Sequence, residues 1–209
     1  MSNPNYRRAT WTCMGLAFAN QMAGINIINL LSTPIFQKLS NDITLTNTIK
    51  FDNYFLGGCG FVGSVLANVT VTFLSKRAVF IGGHAFIMIG LLLIYVFVEL
   101  KMADYYVLMA MCLCILSFQM SNGATFWIYA SEVIVDSAFA ICLVILWGVL
   151  LIQSLTSLSL VNIDGYGVKG LFLTLAVFQA LIILYMLFFL KETKGLNSGQ
   201  KKNLYKPKN

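Results

Sequence analysis

An all-α polytopic membrane protein with six transmembrane helices is the fold class the sequence predicts, and three observations predict it. Hydrophobic residues make up 58% of the 209 residues and charged residues only 11%, more apolar surface than a soluble domain of this length can bury. The charges cluster between the apolar runs rather than within them. Six runs reach the ~20 residues that a bilayer crossing takes, and they are continuously apolar, without the alternation of outer-membrane strands.

The spans are expected at residues 9–36, 54–74, 79–100, 105–131, 138–161 and 170–190. Together they make a bundle over residues 1–195, followed by a basic polar tail, 196–209. Tyr6-Arg7-Arg8 and Trp11 anchor the first span at the interface. The first and fourth spans are over-long, so their ends lie in the interface or the helices tilt.

The first span holds four carboxamides, Asn20, Gln21, Asn26 and Asn29, at bilayer depth. At 100° per residue, Gln21, Asn26 and Asn29 fall within an arc of about 140° and Asn20 lies off it. An unpaired amide there is costly enough to face protein or a cavity. Two readings stay open: hydrogen bonding between helices, the commoner one, or the lining of a polar ligand site. Gly24 lies between the amide pairs and is the expected place for a bend or unwinding.

Residues 37–53 lack apolar periodicity and read as an outside loop. The second helix carries Gly57, Gly58, Gly60 and Gly63, a face suited to close helix approach. The third ends in the interfacial charges Glu99, Lys101 and Asp104. The fourth carries Gly123, Trp127 and Glu132 without any proline, and is expected to be the straighter for it. The fifth contains Trp147, then Gln153, Ser154, Thr156, Ser157 and Ser159 as interhelical hydrogen-bond partners. Residues 162–169 form a turn, and the sixth helix ends before Lys191-Glu192-Thr193-Lys194-Gly195.

Chemistry of other kinds finds little support. Cys13, Cys59, Cys112, Cys114 and Cys142 sit inside spans without metal-ligand spacing, so neither a disulfide framework nor a metal or cofactor site is expected. His84 is the only histidine and reads as a hydrogen-bonded packing residue rather than a proton carrier. The sequon Asn68-Val69-Thr70 is discounted because it lies in an apolar run. No nucleophile–base pair or paired carboxylates share a pocket, so an enzyme is not expected.

The net charge of +6 argues for topology rather than nucleic acid. With six spans, Arg7, Arg8, Lys76, Arg77, Lys191, Lys194, Lys201, Lys202, Lys206 and Lys208 share one side. By the positive-inside bias that side, with both termini, faces the cytoplasm or an organelle's matrix. A nucleic-acid site would need stacking aromatics, and the tail has only Tyr205. Glu132 lies near the negative end of its helix, where a carboxylate is not favoured, and two readings stay open: it pairs with Lys76 or Arg77, or Glu132 and Asp136 are solvated interfacial carboxylates.

Several of these residues carry a resemblance. Asn20 to Ser32 resembles the seventh-helix pattern of sugar porters in the major facilitator superfamily, Gln-Gln-x-Ser-Gly-x-Asn, three residues, then Tyr-Tyr-Ser: Gln21, Gly24, Asn26 and Ser32 match. Asn20, Ala23 and Leu30-Leu31 depart from it. Ser75-Lys76-Arg77-Ala78 stands where the family has Asp/Glu-Arg-x-Gly-Arg-Arg, with little of the pattern left. Gly123, Trp127 and Glu132 match Gly-Pro-x-Pro-Trp and the following Glu, with both prolines gone. Lys191 to Gly195 is similar to Pro-Glu-Thr-Lys-Gly after the twelfth helix, and Trp147 matches a family tryptophan if the preceding inner loop is shorter.

The resemblance implies the C-terminal six-helix half of such a transporter, with the N-terminal half absent. It also implies substrate contacts at Gln21, Asn26, Trp127, Asn20 and Trp147, and an inner-face charge cluster of Glu132, Arg77 and Lys76. Alternating access rocks one bundle against another, so a lone bundle, its amide face otherwise in lipid, is expected to need a partner. With gate prolines and inner arginines lost, the expectation is a transporter-derived structural subunit, transport-inactive, among other membrane subunits and lipids. Its Lys-rich tail would then be held by something. The mitochondrial inner membrane is expected by analogy with such complexes, not from residues. The alternative is a half-size sugar transporter, paired with itself or with a separate N-terminal half.

Overall fold

The computed structural model describes residues 4–39 and 46–206. Among them every regular element is helical: α1 (Pro4–Met22), α2 (Ile25–Leu39), α3 (Thr46–Phe73), α4 (Lys76–Glu99), α5 (Asp104–Phe118), a π-helical turn (Gln119–Gly123), α6 (Ala124–Val133), α7 (Asp136–Val161), α8 (Gly167–Phe189) and α9 (Ser198–Asn203). Six stretches are long and apolar enough to cross a membrane: Tyr6–Pro34, Lys50–Phe73, Lys76–Glu99, Asp104–Val133, Asp136–Val161 and Gly167–Phe189. Each coincides with a span read from the sequence.

Two spans are compound. The first is α1 and α2, broken at Gly24, whose φ of 77° is a left-handed value that only glycine takes without strain. The fourth is α5, the π-helical turn and α6. Its lack of proline does not leave it regular, contrary to expectation: one extra residue in the ladder loosens it instead of a missing N–H.

The segment 37–53 is not simply a loop. α2 runs to Leu39 and α3 begins at Thr46; residues 40–45 lie outside the described residues. At the start of α3, Phe51 and Tyr54 are exposed and Asn53 bonds Ser32 and Thr33 of α2.

α4 packs along α5 and α8, α1 lies against α7, and α3 rests on α5 and the π-helical turn. Tyr129, Phe80, Phe126, Phe172 and Ile28 are fully buried in the core, with Phe80 and Tyr129 edge to face at 5.9 Å. Of the α3 glycines, Gly63 is the one the packing requires, since a Cβ there would meet the Leu116 carbonyl oxygen at 2.9 Å. Gly57 and Gly58 face open space. α3 and α7 are the least buried spans, at 17% and 22%.

Candidate functional site

The polar residues converge in two places, one at the bundle centre and one at its basic end. At the centre, the break after Met22 leaves backbone groups that a membrane interior must satisfy. Gln179 of α8 does so, its Nε2 donating to the Met22 carbonyl at 2.6 Å while its Oε1 meets His84 Nδ1 at 2.6 Å. His84 is fully buried. Gln153, in α7, donates to the Met22 sulfur at 3.3 Å.

The π-helical turn is built the same way. Its loosened ladder is met by hydroxyls and one amide: Thr70 donates to the Met120 carbonyl at 2.5 Å, and Asn20 to the Asn122 carbonyl at 3.2 Å. Ser121 donates back to Ser117 and Thr125 to Ser121, each at 2.5 Å. Short polar side chains thus replace the missing i→i−4 bonds. Asn122 is itself fully buried, with its amide unpartnered in the fold.

Asn20, Gln21 and Asn26 of the first span make hydrogen bonds inside the bundle rather than forming one continuous polar face. Asn20 and Gln21 are buried, 8% and 5% exposed, and Asn26 Nδ2 donates to Gln21 Oε1 at 2.6 Å. The break at Gly24 is the reason: it rotates α2 relative to α1, so the continuous helical projection fails. Only Asn29 stays exposed. Trp127 is 42% exposed and packs edge to face on Phe126 and Phe139; Trp147 is 57% exposed. The structure pairs Gln21 with Asn26, turns Asn20 to the π-helical turn, and leaves both tryptophans partly exposed.

At the basic end, Glu132 is held by two lysines, Lys76 Nζ at 2.5 Å and Lys201 Nζ at 2.8 Å. Arg77 is not in this pair; its guanidinium donates to the Leu187 carbonyl at 2.7 Å and its backbone N–H to Glu192 at 3.1 Å. The reason is direction. Consecutive residues in the first turn of α4 project 100° apart, so one reaches α6 and the other α8.

The tail closes this end. α9 is started by a capping box, Asn197 and Gln200 each bonding the other's backbone. Lys202 then reaches the carbonyls of Ser131 and Ile134. Tyr205 is buried, its hydroxyl 2.8 Å from that of Tyr129 and accepting from the Lys191 N–H at 3.0 Å. The bundle itself holds the tail through these contacts. Thr70, Ser121, Asn122, Gln179 and Lys201 were not singled out from the sequence. Ser121-Asn122 in mid-span was the readable signal; Lys201 had none.

Glu192 gives this end a pH dependence. Burial by itself raises its carboxyl, but the backbone N–H groups of Lys194, Arg77 and Thr193 and the Ser75 hydroxyl outweigh that and hold it below its ordinary value. A depressed carboxyl contributes stability above its ordinary pKa and loses it as pH falls through the lowered one. Protection of residues 190–206 from hydrogen exchange, taken relative to the intrinsic rate at each pH, is expected to fall on acidification through that range, and Glu192→Gln to flatten the profile. An unchanged profile in that variant would assign the effect elsewhere.

Residues 1–204 match the family described as Sugar (and other) transporter. No curated protein matches the chain significantly. Among solved structures the fold is similar to the xylose transporter XylE from E. coli in its inward-open conformation, with a TM-score of 0.68 and 20% sequence identity over 87% of this chain. The match covers 42% of that transporter, so the chain spans about two fifths of its length and has the architecture of a sugar-porter half bundle.

Proposed function

The chain belongs to the Sugar (and other) transporter family, and from that premise we propose that it is a transporter-derived structural subunit of a larger membrane assembly, inactive in transport. The observation that carries this is the fate of its amides. Asn20 and Gln21, the positions at which the resemblance places sugar contacts, are buried and hydrogen-bonded inside the bundle. A sugar would have to break those bonds to use them, exchanging one set of partners for another with little net gain. The Lys76–Glu132–Lys201 cluster and the docked tail add a brace across the end that a transporter must open.

Asn68 supports the assembly part of this reading. It lies on the exposed face of α3, which is a membrane span, and an amide there is better covered by protein than by lipid. By the same analogy as before, the membrane is the mitochondrial inner membrane and the basic end faces the matrix.

A half-size transporter, paired with a second copy or a separate N-terminal half, is the second reading. The exposure of Trp127 and Trp147 favours it, because a second bundle would cover both. Uptake of labelled pentose and hexose into proteoliposomes separates the two. Background uptake, with the chain migrating in a large complex on native gels, is the result expected. Uptake above background that falls on Gln21→Ala would overturn the structural reading.

A further inference from the structure

A cavity of about 670 Å³ opens at the basic end between α1, α8 and the tail. Its rim carries two cations, Arg8 and Lys191, and below them the walls are apolar, with Trp11, Phe18, Tyr185 and Phe188 among them. Phe18 and Tyr185 also line a second hollow, which continues down the bundle past Phe178 and Leu181. Arg8 to Phe18 is about 15 Å of helix, so the groove runs from the interface well into the hydrocarbon layer.

We propose that this groove is a binding site for an anionic phospholipid, its phosphate on Arg8 and Lys191 and one acyl chain along α1 and α8. Charge and depth both point that way. The Arg8 side chain makes no hydrogen bond or ion pair with another described residue, and a guanidinium pairs well with phosphate. Lys191 lies 5.1 Å from the Tyr205 ring centroid and donates to the Leu204 carbonyl at 3.1 Å, leaving ammonium protons for a headgroup. Trp11 is 54% and Phe188 81% exposed, the aromatic framing of the headgroup level. Basic pockets between transmembrane helices on one leaflet are the usual setting for anionic lipid. The site serves this bundle whether or not it transports.

Native mass spectrometry of the full chain in mild detergent, titrated with phosphatidylglycerol or phosphatidylcholine, tests the proposal. Retention of phosphatidylglycerol about tenfold tighter than phosphatidylcholine is expected, with Arg8→Gln and Lys191→Gln each lowering that preference about fivefold. Lys101→Gln, at the opposite end of the bundle, is expected to leave it unchanged. Arg8→Gln removes a side chain with no hydrogen-bond or ion-pair partner among the described residues, so it keeps the tail docked and isolates the headgroup contact. Equal retention of the two lipids overturns the site. So does full preference in both variants, or oleate competing away phosphatidylglycerol at equal concentration.

Discussion

Glu132→Ala releases the C-terminal tail. The carboxylate stands between two ammonium groups, with Lys76 on one oxygen and Lys201 on the other, and the lysine side chains are only 11% and 20% exposed. Removing it leaves two like charges close together and partly out of water. That is worse than losing a surface pair, because the remaining charges keep their desolvation without its compensation. A cost of about 2–3 kcal/mol is expected, which raises the undocked population of the tail roughly 30- to 150-fold. Lys201 and Lys202 are tryptic sites that docking shields, so limited trypsinolysis in detergent reads the change directly. Glu99→Ala is the control: its partner Lys169 is at 2.7 Å, but both side chains are more than 40% exposed, and such solvated pairs contribute little. A tail cleaved no faster in Glu132→Ala than in the native chain would mean that Tyr205 holds it without the ion pairs.

Much of this architecture is legible in one dimension because a bilayer simplifies the problem. Span length and continuity follow from hydrocarbon thickness, and the break at Gly24 follows from a glycine between amides at a depth where unwinding needs polar support. The clamp on Glu132 was half legible. A carboxylate at a helix C-terminus calls for a cation, but the choice of Lys76 over Arg77 rests on projection angle, and Lys201 comes from a segment 69 residues away. The π-helical turn was hidden for a different reason. No residue type demands it in the way that proline demands a kink, and its stability depends on Thr70 and Asn20, which arrive from other helices. The amides meet the same limit: a helical projection assumes one straight helix, and the chain turns at Gly24 before Asn26 is reached.

Gly83 and Gly82 are adjacent in α4, and leucine at each is expected to give opposite results. A Cβ on Gly82 meets nothing within 4 Å, whereas one on Gly83 would run into the Ser121 hydroxyl and lie 2.5 Å from the Ser121 Cβ. Ser121 cannot swing away freely, because its Oγ donates to the Ser117 carbonyl and its Cβ is fixed to the π-helical backbone. The collision must therefore be relieved by moving α4 from the turn. That strains the Asn20 and Thr70 bonds to the neighbouring carbonyls and disturbs His84, one residue on. Overpacking of this kind typically costs 1–3 kcal/mol, and with two buried hydrogen bonds at risk about 3–4 kcal/mol is expected for Gly83→Leu. Gly82→Leu is expected to be neutral or to stabilise by about 0.5–1 kcal/mol, through helix propensity alone. Thermal unfolding in detergent micelles, followed by circular dichroism, separates the two. Equal melting temperatures would show that α4 does not press on the turn, and the close approach that makes glycine necessary at position 83 would then have to be abandoned.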